Sequence, residues 1–223
     1  MKNTMEYNDA LNAVKVNGTN LKLVKLPQTK ELCLEAVKQT GVALKFVKRQ
    51  TEDICLEAVK QNGFALQFVR RQTDNICLEA VKQIGLALKY VIKQTPEIVS
   101  AALKSDGGAI IFVANPTREQ YLMAVQESGV VLAYIDNQDD EICLAAVQES
   151  GYALKYVKHQ TPEICLAAVQ ENGYALQFVK EQTLEICLEA VKNDPDAYEF
   201  VNMEYRDQIA KKLCQIVKNN GEV

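Results

Sequence analysis

The chain has 223 residues, of which 48% are hydrophobic and 24% charged, with a formal net charge of −4 and one histidine. No apolar run approaches the roughly 18 residues of a membrane span, and the first residues lack the pattern of a secretory signal, so we expect a cytoplasmic protein without membrane contact. The seven cysteines show no paired spacing, which fits a reducing compartment better than a disulfide framework.

A unit of 22 residues repeats without gaps along almost the whole chain. Nine copies follow one another over residues 8–205. A constant period of this length is typical of stacked supersecondary units, none of which buries its apolar face without neighbours. We therefore predict an all-α fold, an α-solenoid of nine 22-residue helix-turn-helix repeats with a C-terminal capping helix. The whole chain, residues 1–223, is predicted to be a single elongated repeat domain.

The eighth copy, PEICLAAVQENGYALQFVKEQT, shows the elements expected in every repeat. Thr161 is a good N-cap and proline suits the first helical position, so a helix is predicted over 162–171. Gly173 is expected to end this helix in the left-handed conformation. A second helix is predicted over 174–181. The apolar spacing gives both helices one buried stripe, and Phe178 is predicted to fill the space between repeats.

The copies differ most at the two ends and in the middle of the array. The first copy lacks the aromatic residue, as is typical of a terminal cap. The fifth and sixth, PEIVSAALKSDGGAIIFVANPT and REQYLMAVQESGVVLAYIDNQD, depart most from the pattern. In the ninth, Pro195 replaces the glycine. Residues 206–220 are predicted to form a charged, amphipathic capping helix.

The segments ICLEAVKQNG and ALQFVRRQT, which recur in phase, carry a resemblance to a known family. They are similar to the signature of a bacterial, protist and viral repeat family that is catalogued as a domain of unknown function. The resemblance covers residues 8–205 and is weakest in the fifth and sixth copies. It implies a helical repeat with an interaction role, and it implies no catalytic residues.

Residues suited to catalysis or metal binding are scarce. His159 stands where other copies have Arg, Lys, Asn or Glu, so it is interpreted as a solvated side chain rather than a general base. The slot of the repeated cysteines holds Leu, Val or Tyr in other copies, which favours a buried apolar role over a nucleophile or metal ligand. No phosphate-binding glycine motif occurs. We therefore expect a protein without enzymatic activity, metal or cofactor.

Charge is distributed unevenly along the chain. Residues 1–95 contain 15 Lys and Arg against 9 Asp and Glu, whereas residues 96–223 contain 10 against 20. Nine basic residues are predicted to line the exposed side of the second helices in the first four repeats. This basic stripe consists of Lys22, Lys25, Lys45, Lys48, Arg49, Arg70, Arg71, Lys89 and Lys93. It indicates either a footprint for an anionic partner or an ordinary solvated face.

A second surface feature lies in the divergent centre, where uncharged residues stand at positions that carry polar or charged side chains in most close copies. This predicted apolar patch consists of Ile92, Ile111, Ala114, Met123 and Ala133. Exposed apolar area marks contact sites, so a docking or self-association surface is one interpretation. The other is a local repacking in which Gly108 lets Ile111 turn inward.

Two functions are compatible with these features. The first is a non-enzymatic protein–protein interaction scaffold or inhibitor that presents a long helical-repeat surface. The alternative is a nucleic-acid-binding protein, or an inhibitor of a nucleic-acid-processing machine, whose basic N-terminal half contacts nucleic acid or a nucleoprotein. Against base stacking, the aromatic residues are assigned to the core. The opposite charges of the two halves, or the apolar patch, also suggest a homodimer.

Overall fold

The structure, a computed structural model, describes residues 2–220 and the side-chain environments of residues 6–215. Within residues 2–220 it contains ten α-helices, nine 3₁₀ helices and no β-strand. The α-helices are α1 (Lys2–Val16), α2 (Lys30–Gln39), α3 (Glu52–Gln61), α4 (Asp74–Gln83), α5 (Pro96–Ser105), α6 (Arg118–Glu127), α7 (Asp140–Glu149), α8 (Pro162–Glu171), α9 (Leu184–Asn193) and α10 (Met203–Asn220). The 3₁₀ helices are Gly18–Leu23, Gly41–Phe46, Gly63–Phe68, Gly85–Tyr90, Gly107–Phe112, Gly129–Tyr134, Gly151–Tyr156, Gly173–Phe178 and Pro195–Phe200.

These elements form two compact units, Met1–Pro116 and Thr117–Val223. In the first unit each α-helix packs beside the next from α1 to α5, and the 3₁₀ helices stack on one another alongside them. In the second unit α6 to α9 and their 3₁₀ helices pack in the same way, and α10 packs on α9. The predicted all-α solenoid is thus confirmed, and a single domain over 1–223 stays a prediction. Each repeat is numbered by its α-helix, from one to nine.

In repeats two to nine the α-helix forms where the sequence predicts it, whereas α1 begins at Lys2, before the predicted start of the array at residue 8. In repeat eight the Thr161 hydroxyl accepts the Ile164 N–H at 3.3 Å and caps α8. The proline after the cap has no N–H to leave unpaired. The apolar side of α8 is fully buried at Ile164, Cys165, Ala168 and Val169. A ten-residue helix is too short to persist alone in water, so packing against α7 and α9 stabilises it.

The second element of each repeat is a six-residue 3₁₀ helix rather than an α-helix. In repeat eight it spans Gly173–Phe178, whereas the sequence predicts a second helix over 174–181. Asn172 before it and Val179 after it both have extended backbone, with φ of −148° and −71° and ψ of 114° and 118°. The prediction is wrong because these two extended residues leave only six residues between them, a length that favours the tighter i to i+3 bonds.

The repeated glycine does not adopt the left-handed conformation that the sequence suggests. Among the described residues no glycine has positive φ, and Asn115, at 53°, is the one non-glycine residue that does. The glycine is needed for close packing instead. A Cβ atom at Gly173 would lie 2.5 Å from the carbonyl oxygen of Ala190 in the next repeat. The Gly173 N–H donates to Asn193 Oδ1 at 2.9 Å, which joins the same two repeats.

A glutamine two residues before the α-helix links most repeats to the next. Gln72 Nε2 donates to the Tyr90 carbonyl at 2.8 Å, and Gln72 Oε1 accepts the Ile92 N–H at 3.0 Å. The Cys77 thiol donates to the same oxygen at 3.5 Å. We call this series of bonds the glutamine ladder. The same three bonds are made by Gln28, Gln50, Gln138, Gln160 and Gln182.

The divergent repeats five and six have their own local features. Gln94 still donates to the Phe112 carbonyl at 2.8 Å, but Pro116 takes the glutamine position of repeat five and has no side-chain amide. In the second unit Arg118 links α6 to α7 through Asp139, with Nε 2.7 Å from Oδ2. That guanidinium lowers the pKa of Asp139, as does the Ile142 N–H that this carboxylate caps.

A divergent first repeat and a C-terminal helix stand at the two ends of the described chain, as the sequence predicts. The capping helix α10 begins at Met203, earlier than the predicted residue 206. None of the helices within residues 2–220 is both long and apolar enough to cross a membrane.

Candidate functional site

The basic stripe lies on one structural layer of the first unit. All nine members are exposed, and all stand on 3₁₀ helices or in the loops that follow them. We call these four segments, residues 18–28, 41–50, 63–72 and 85–94, the 3₁₀ layer. They contain no Asp or Glu, whereas all nine acidic residues before residue 96 lie on α-helices. Acidic residues are therefore segregated from the 3₁₀ layer, whose charged side chains are all positive.

Members of the basic stripe differ in what they contact. Within residues 6–215 none of them forms an ion pair with a carboxylate. Arg70 donates through Nη1 to the Lys48 carbonyl at 2.8 Å and through Nη2 to the Val47 carbonyl at 3.3 Å. Arg70 therefore joins repeats two and three while its charge remains at the surface. Sequence reasoning missed this role because the acceptors are backbone atoms of another repeat.

The aromatic residues of the repeats are not fully buried: those of the first unit are half-buried, and the more exposed rings stand in the second unit. No Phe or Tyr is among the buried residues of the described chain, and Tyr134 is 68% exposed. The core consists of Leu, Ile, Val, Ala and Cys side chains. The expectation that these rings belong to the core is therefore wrong, but Phe178 does contact the neighbouring repeat as predicted, since its ring centre lies 6.0 Å from that of Tyr152. In repeats two to five the last residue of each 3₁₀ helix is aromatic, and these four half-buried residues form an aromatic row: Phe46, Phe68, Tyr90 and Phe112.

Lysine side chains accompany the rings of the aromatic row. Lys45 Nζ lies 4.9 Å from the ring centre of Phe46 and 5.9 Å from that of Phe68 in the next repeat. Lys89 Nζ lies 5.7 Å from the Tyr90 ring centre. These distances are within the range of cation–π contact. The 3₁₀ layer thus combines positive charge with partly exposed rings, a combination that sequence reasoning did not predict.

Clefts lie between the loops of successive repeats, and the basic groups that line each cleft come from one repeat. One of about 430 Å³ is lined by Thr51, Arg70 and Arg71, among others. A second, of about 400 Å³, includes Lys48 and Arg49 in its lining. Both open beside the 3₁₀ layer, so basic side chains stand at their rims.

Residues of the predicted apolar patch are divided between the two units. In the first unit Ile92 and Ile111 are 80% and 51% exposed, and Ala114 is exposed. The interpretation in which Ile111 turns inward is therefore wrong. In the second unit Ala133 is exposed, and Met123 on α6 is half-buried. Whether these residues bind a partner stays a prediction.

The repeated cysteines belong to the core, with thiols directed at the glutamine ladder. Each is at most 3% exposed: Cys33, Cys55, Cys77, Cys143, Cys165 and Cys187. Burial, with a smaller contribution from the Asp74 carboxylate, raises the pKa of Cys77 to about 11. Among the described residues no group of three or more His, Cys, Asp or Glu side chains is arranged to hold a metal ion. His159, the single histidine, is exposed.

We expect only one of the seven thiols to react quickly with Ellman's reagent in the native protein at about pH 8. Cys214 on α10 is exposed, whereas the other six are buried and poorly ionised. Denaturation should release all seven. The C214S variant is the control, because it should lose the fast phase and keep the slow one. More than one fast equivalent in the native protein would contradict the burial of the cysteines.

Comparison with known proteins supports the repeat architecture. A family model described as "Domain of unknown function (DUF4116)" matches residues 29–72, 51–94 and 161–206, which together cover half of the chain. The first two matches begin 22 residues apart, at the period of the repeats. No curated protein and no solved structure matches the sequence. The chain therefore belongs to the DUF4116 family, a family of helical repeats whose function is not known.

Proposed function

We propose that the protein is a non-enzymatic interaction scaffold, acting in the cytoplasm, whose contact surface in the first unit is the 3₁₀ layer. The partner of this layer is rich in negative charge. One observation carries the proposal: nine basic residues and no acidic residue stand on this layer. An ordinary solvated face mixes both signs, whereas a surface of one sign attracts and holds a polyanion.

Two repeats with the same core support the proposal. Repeats three and eight have identical residue types at their seven buried apolar positions. Their surfaces differ in charge, because Arg70 and Arg71 of repeat three correspond to Lys180 and Glu181 of repeat eight. Stacking therefore does not require positive charge at the second of these positions. The charge of the first unit is a property of its surface rather than of its packing.

An acidic protein is one partner that carries the required negative charge. The exposed Ile92 and Ile111 would also make apolar contacts with such a protein. A second copy of the chain is another, since the equivalent segments of the second unit include Asp136, Glu181 and Asp196. The scaffold function does not depend on which polyanion binds. The test below separates an external partner from a second copy.

The test compares two triple variants of the full chain that each remove three positive charges. R49N, R71N and K93N together remove three charged members of the basic stripe. Asparagine occupies the equivalent position of repeats five and six. K38Q, K60Q and K82Q together are the matched control on the α-helices, where repeats six to eight carry glutamine. Both sets are thus compatible with the fold.

Binding is measured by fluorescence anisotropy with labelled polyglutamate and labelled oligothymidine in about 50 mM sodium chloride. We expect the native chain to bind at least one probe, the asparagine variant to bind it about tenfold more weakly, and the glutamine variant to change little. No binding of either probe, or equal weakening by both variants, would overturn the proposal. Light scattering adds one further outcome. A dimer that only the asparagine variant dissociates would assign the 3₁₀ layer to a second copy.

A further inference from the structure

The half-buried rings of the aromatic row require an explanation beyond charge. An acidic polypeptide needs only the basic stripe, yet the last residue of each 3₁₀ helix in repeats two to five is an aromatic residue that stays half-buried. The negative face of an aromatic ring repels a carboxylate. Rings interspersed among lysines therefore do not improve a site for acidic protein. They do improve a site for an anion that also carries flat, stackable groups.

We infer that the polyanion bound by the 3₁₀ layer is a single-stranded nucleic acid, whose bases stack on the aromatic row and whose phosphates contact the basic stripe. This inference rests on the proposed function. Proteins that bind single strands combine a positive surface that follows the backbone with aromatic side chains that stack on bases. Both components lie together on three of the four segments, residues 41–50, 63–72 and 85–94, and the aromatic row continues into repeat five through Phe112.

Lysine ammonium groups and aromatic rings lie side by side on the 3₁₀ layer, close enough for one nucleotide to contact both. Lys45 Nζ is within 6 Å of the rings of both Phe46 and Phe68, so one ammonium group stands between the rings of two successive repeats. Phe64 and Tyr90 extend this surface with ring centres 6.2 Å apart in an edge-to-face contact. A phosphate held by lysine thus has an aromatic ring beside it for the attached base.

A single strand fits this surface better than a duplex does. In a duplex the base faces are stacked on each other and are not available to side chains, whereas an unpaired base presents both faces. Base specificity is not expected, because stacking tolerates every base and the repeats present nearly the same side chains. Affinity should fall steeply with salt, since the phosphate contacts release counterions.

A single tryptophan provides a direct test, because the chain contains none. F68W places the probe in the aromatic row of the first unit. F178W is the matched control, since it occupies the same position in GYALQF of repeat eight, where the first unit has GFALQF in repeat three. Both 3₁₀ helices have the same length and the same extended flanking residues.

We expect unlabelled oligothymidine to quench F68W emission by about half or more and to leave F178W almost unchanged. Polyglutamate and duplex DNA of equal charge should not quench either variant. In binding, F68L should weaken oligothymidine affinity about tenfold, because one stacked base contributes on the order of 1 to 3 kcal/mol. F178L should have no effect on affinity, and thermal unfolding of the two leucine variants checks that both remain folded to a similar extent.

Each result bears separately on the two proposals. Binding of oligothymidine that depends on the basic stripe, but without quenching of F68W or loss in F68L, would overturn the inference and leave the proposed function standing. Preference for polyglutamate, or equal affinity for duplex DNA, would overturn it in the same way. The absence of binding to every probe would overturn both. Quenching that is stronger for F68W than for F178W, with tight binding of the single strand, supports the inference.

Discussion

Replacing Gln72 by alanine is expected to lower the free energy of unfolding by about 2 kcal/mol. The side chain makes three hydrogen bonds, to the Tyr90 carbonyl, the Ile92 N–H and the Cys77 thiol. Alanine leaves the two backbone groups without these partners, and an unpaired polar group that is shielded from water costs more than the bond contributes. Because the Ile92 N–H is at the exposed end of the bond, water recovers part of the loss. Urea denaturation followed by circular dichroism measures the change.

Two further variants separate the hydrogen bonds from the volume of the side chain. Q83A truncates an exposed glutamine at the end of α4 and should change stability by less than about 0.5 kcal/mol. Q72E keeps the size and the acceptor oxygen but replaces the amide donor to the Tyr90 carbonyl by a second oxygen. We expect Q72E to destabilise as well, because a carboxylate then faces a carbonyl oxygen. A stable Q72E together with a destabilised Q72A would mean that packing, not the glutamine ladder, explains the effect.

The all-α architecture was predictable because it follows from the period and the apolar spacing of the sequence. A gap-free repeat of 22 residues, with Thr161-type caps and a regular apolar stripe, specifies where each α-helix begins and ends. The glutamine ladder was not predictable in the same way. Gln72 stands between an arginine and a threonine, as a solvated residue would, and its partners are backbone atoms 18 and 20 residues further on. Such bonds depend on how closely two repeats stack.

The second element shows why apolar spacing does not distinguish an α-helix from a 3₁₀ helix over six residues. Ala175 and Leu176 are buried in the structure as they would be in an α-helix. The difference appears at Phe178, the last residue before the chain becomes extended. An α-helix continued to 181 would keep this residue inside the element, whereas the 3₁₀ helix ends there and leaves the ring half-buried. The sequence predicts a longer helix, and it therefore also predicts a more buried ring than the structure has.

The basic stripe was predictable, and the aromatic row was not. Long charged side chains are almost never fully buried without a partner, so their exposure follows from the residue type alone. Aromatic residues occur both in cores and on binding surfaces, so their place depends on the element that carries them. The objection to nucleic acid that rested on core rings is consequently reduced, because the rings of the aromatic row are half-buried rather than buried. The choice between a protein and a nucleic acid then depends on the rings rather than on the charge.

Gly173 and Gly108 provide a pair of substitutions with opposite expected results. G173A is expected to lower the free energy of unfolding by about 2 to 3 kcal/mol, since its Cβ would lie 2.5 Å from the Ala190 carbonyl oxygen and 2.7 Å from the Asp194 Cβ. Both atoms belong to rigid parts of the next repeat, so the two repeats must separate. G108A should be neutral or slightly stabilising, because its Cβ meets only side-chain atoms, the nearest being the Asp106 carboxylate at 2.9 Å.

A third variant, G173N, distinguishes the two explanations for the repeated glycine. Asparagine tolerates the left-handed conformation, so it should be accepted if backbone conformation were the reason for glycine. Close approach of the next repeat predicts instead that G173N is at least as damaging as G173A, since both add a Cβ. Urea denaturation with equal m-values for all variants makes the comparison valid. A tolerated G173N, or a G108A as unstable as G173A, would contradict the view that glycine is required where one repeat contacts the carbonyl of the next.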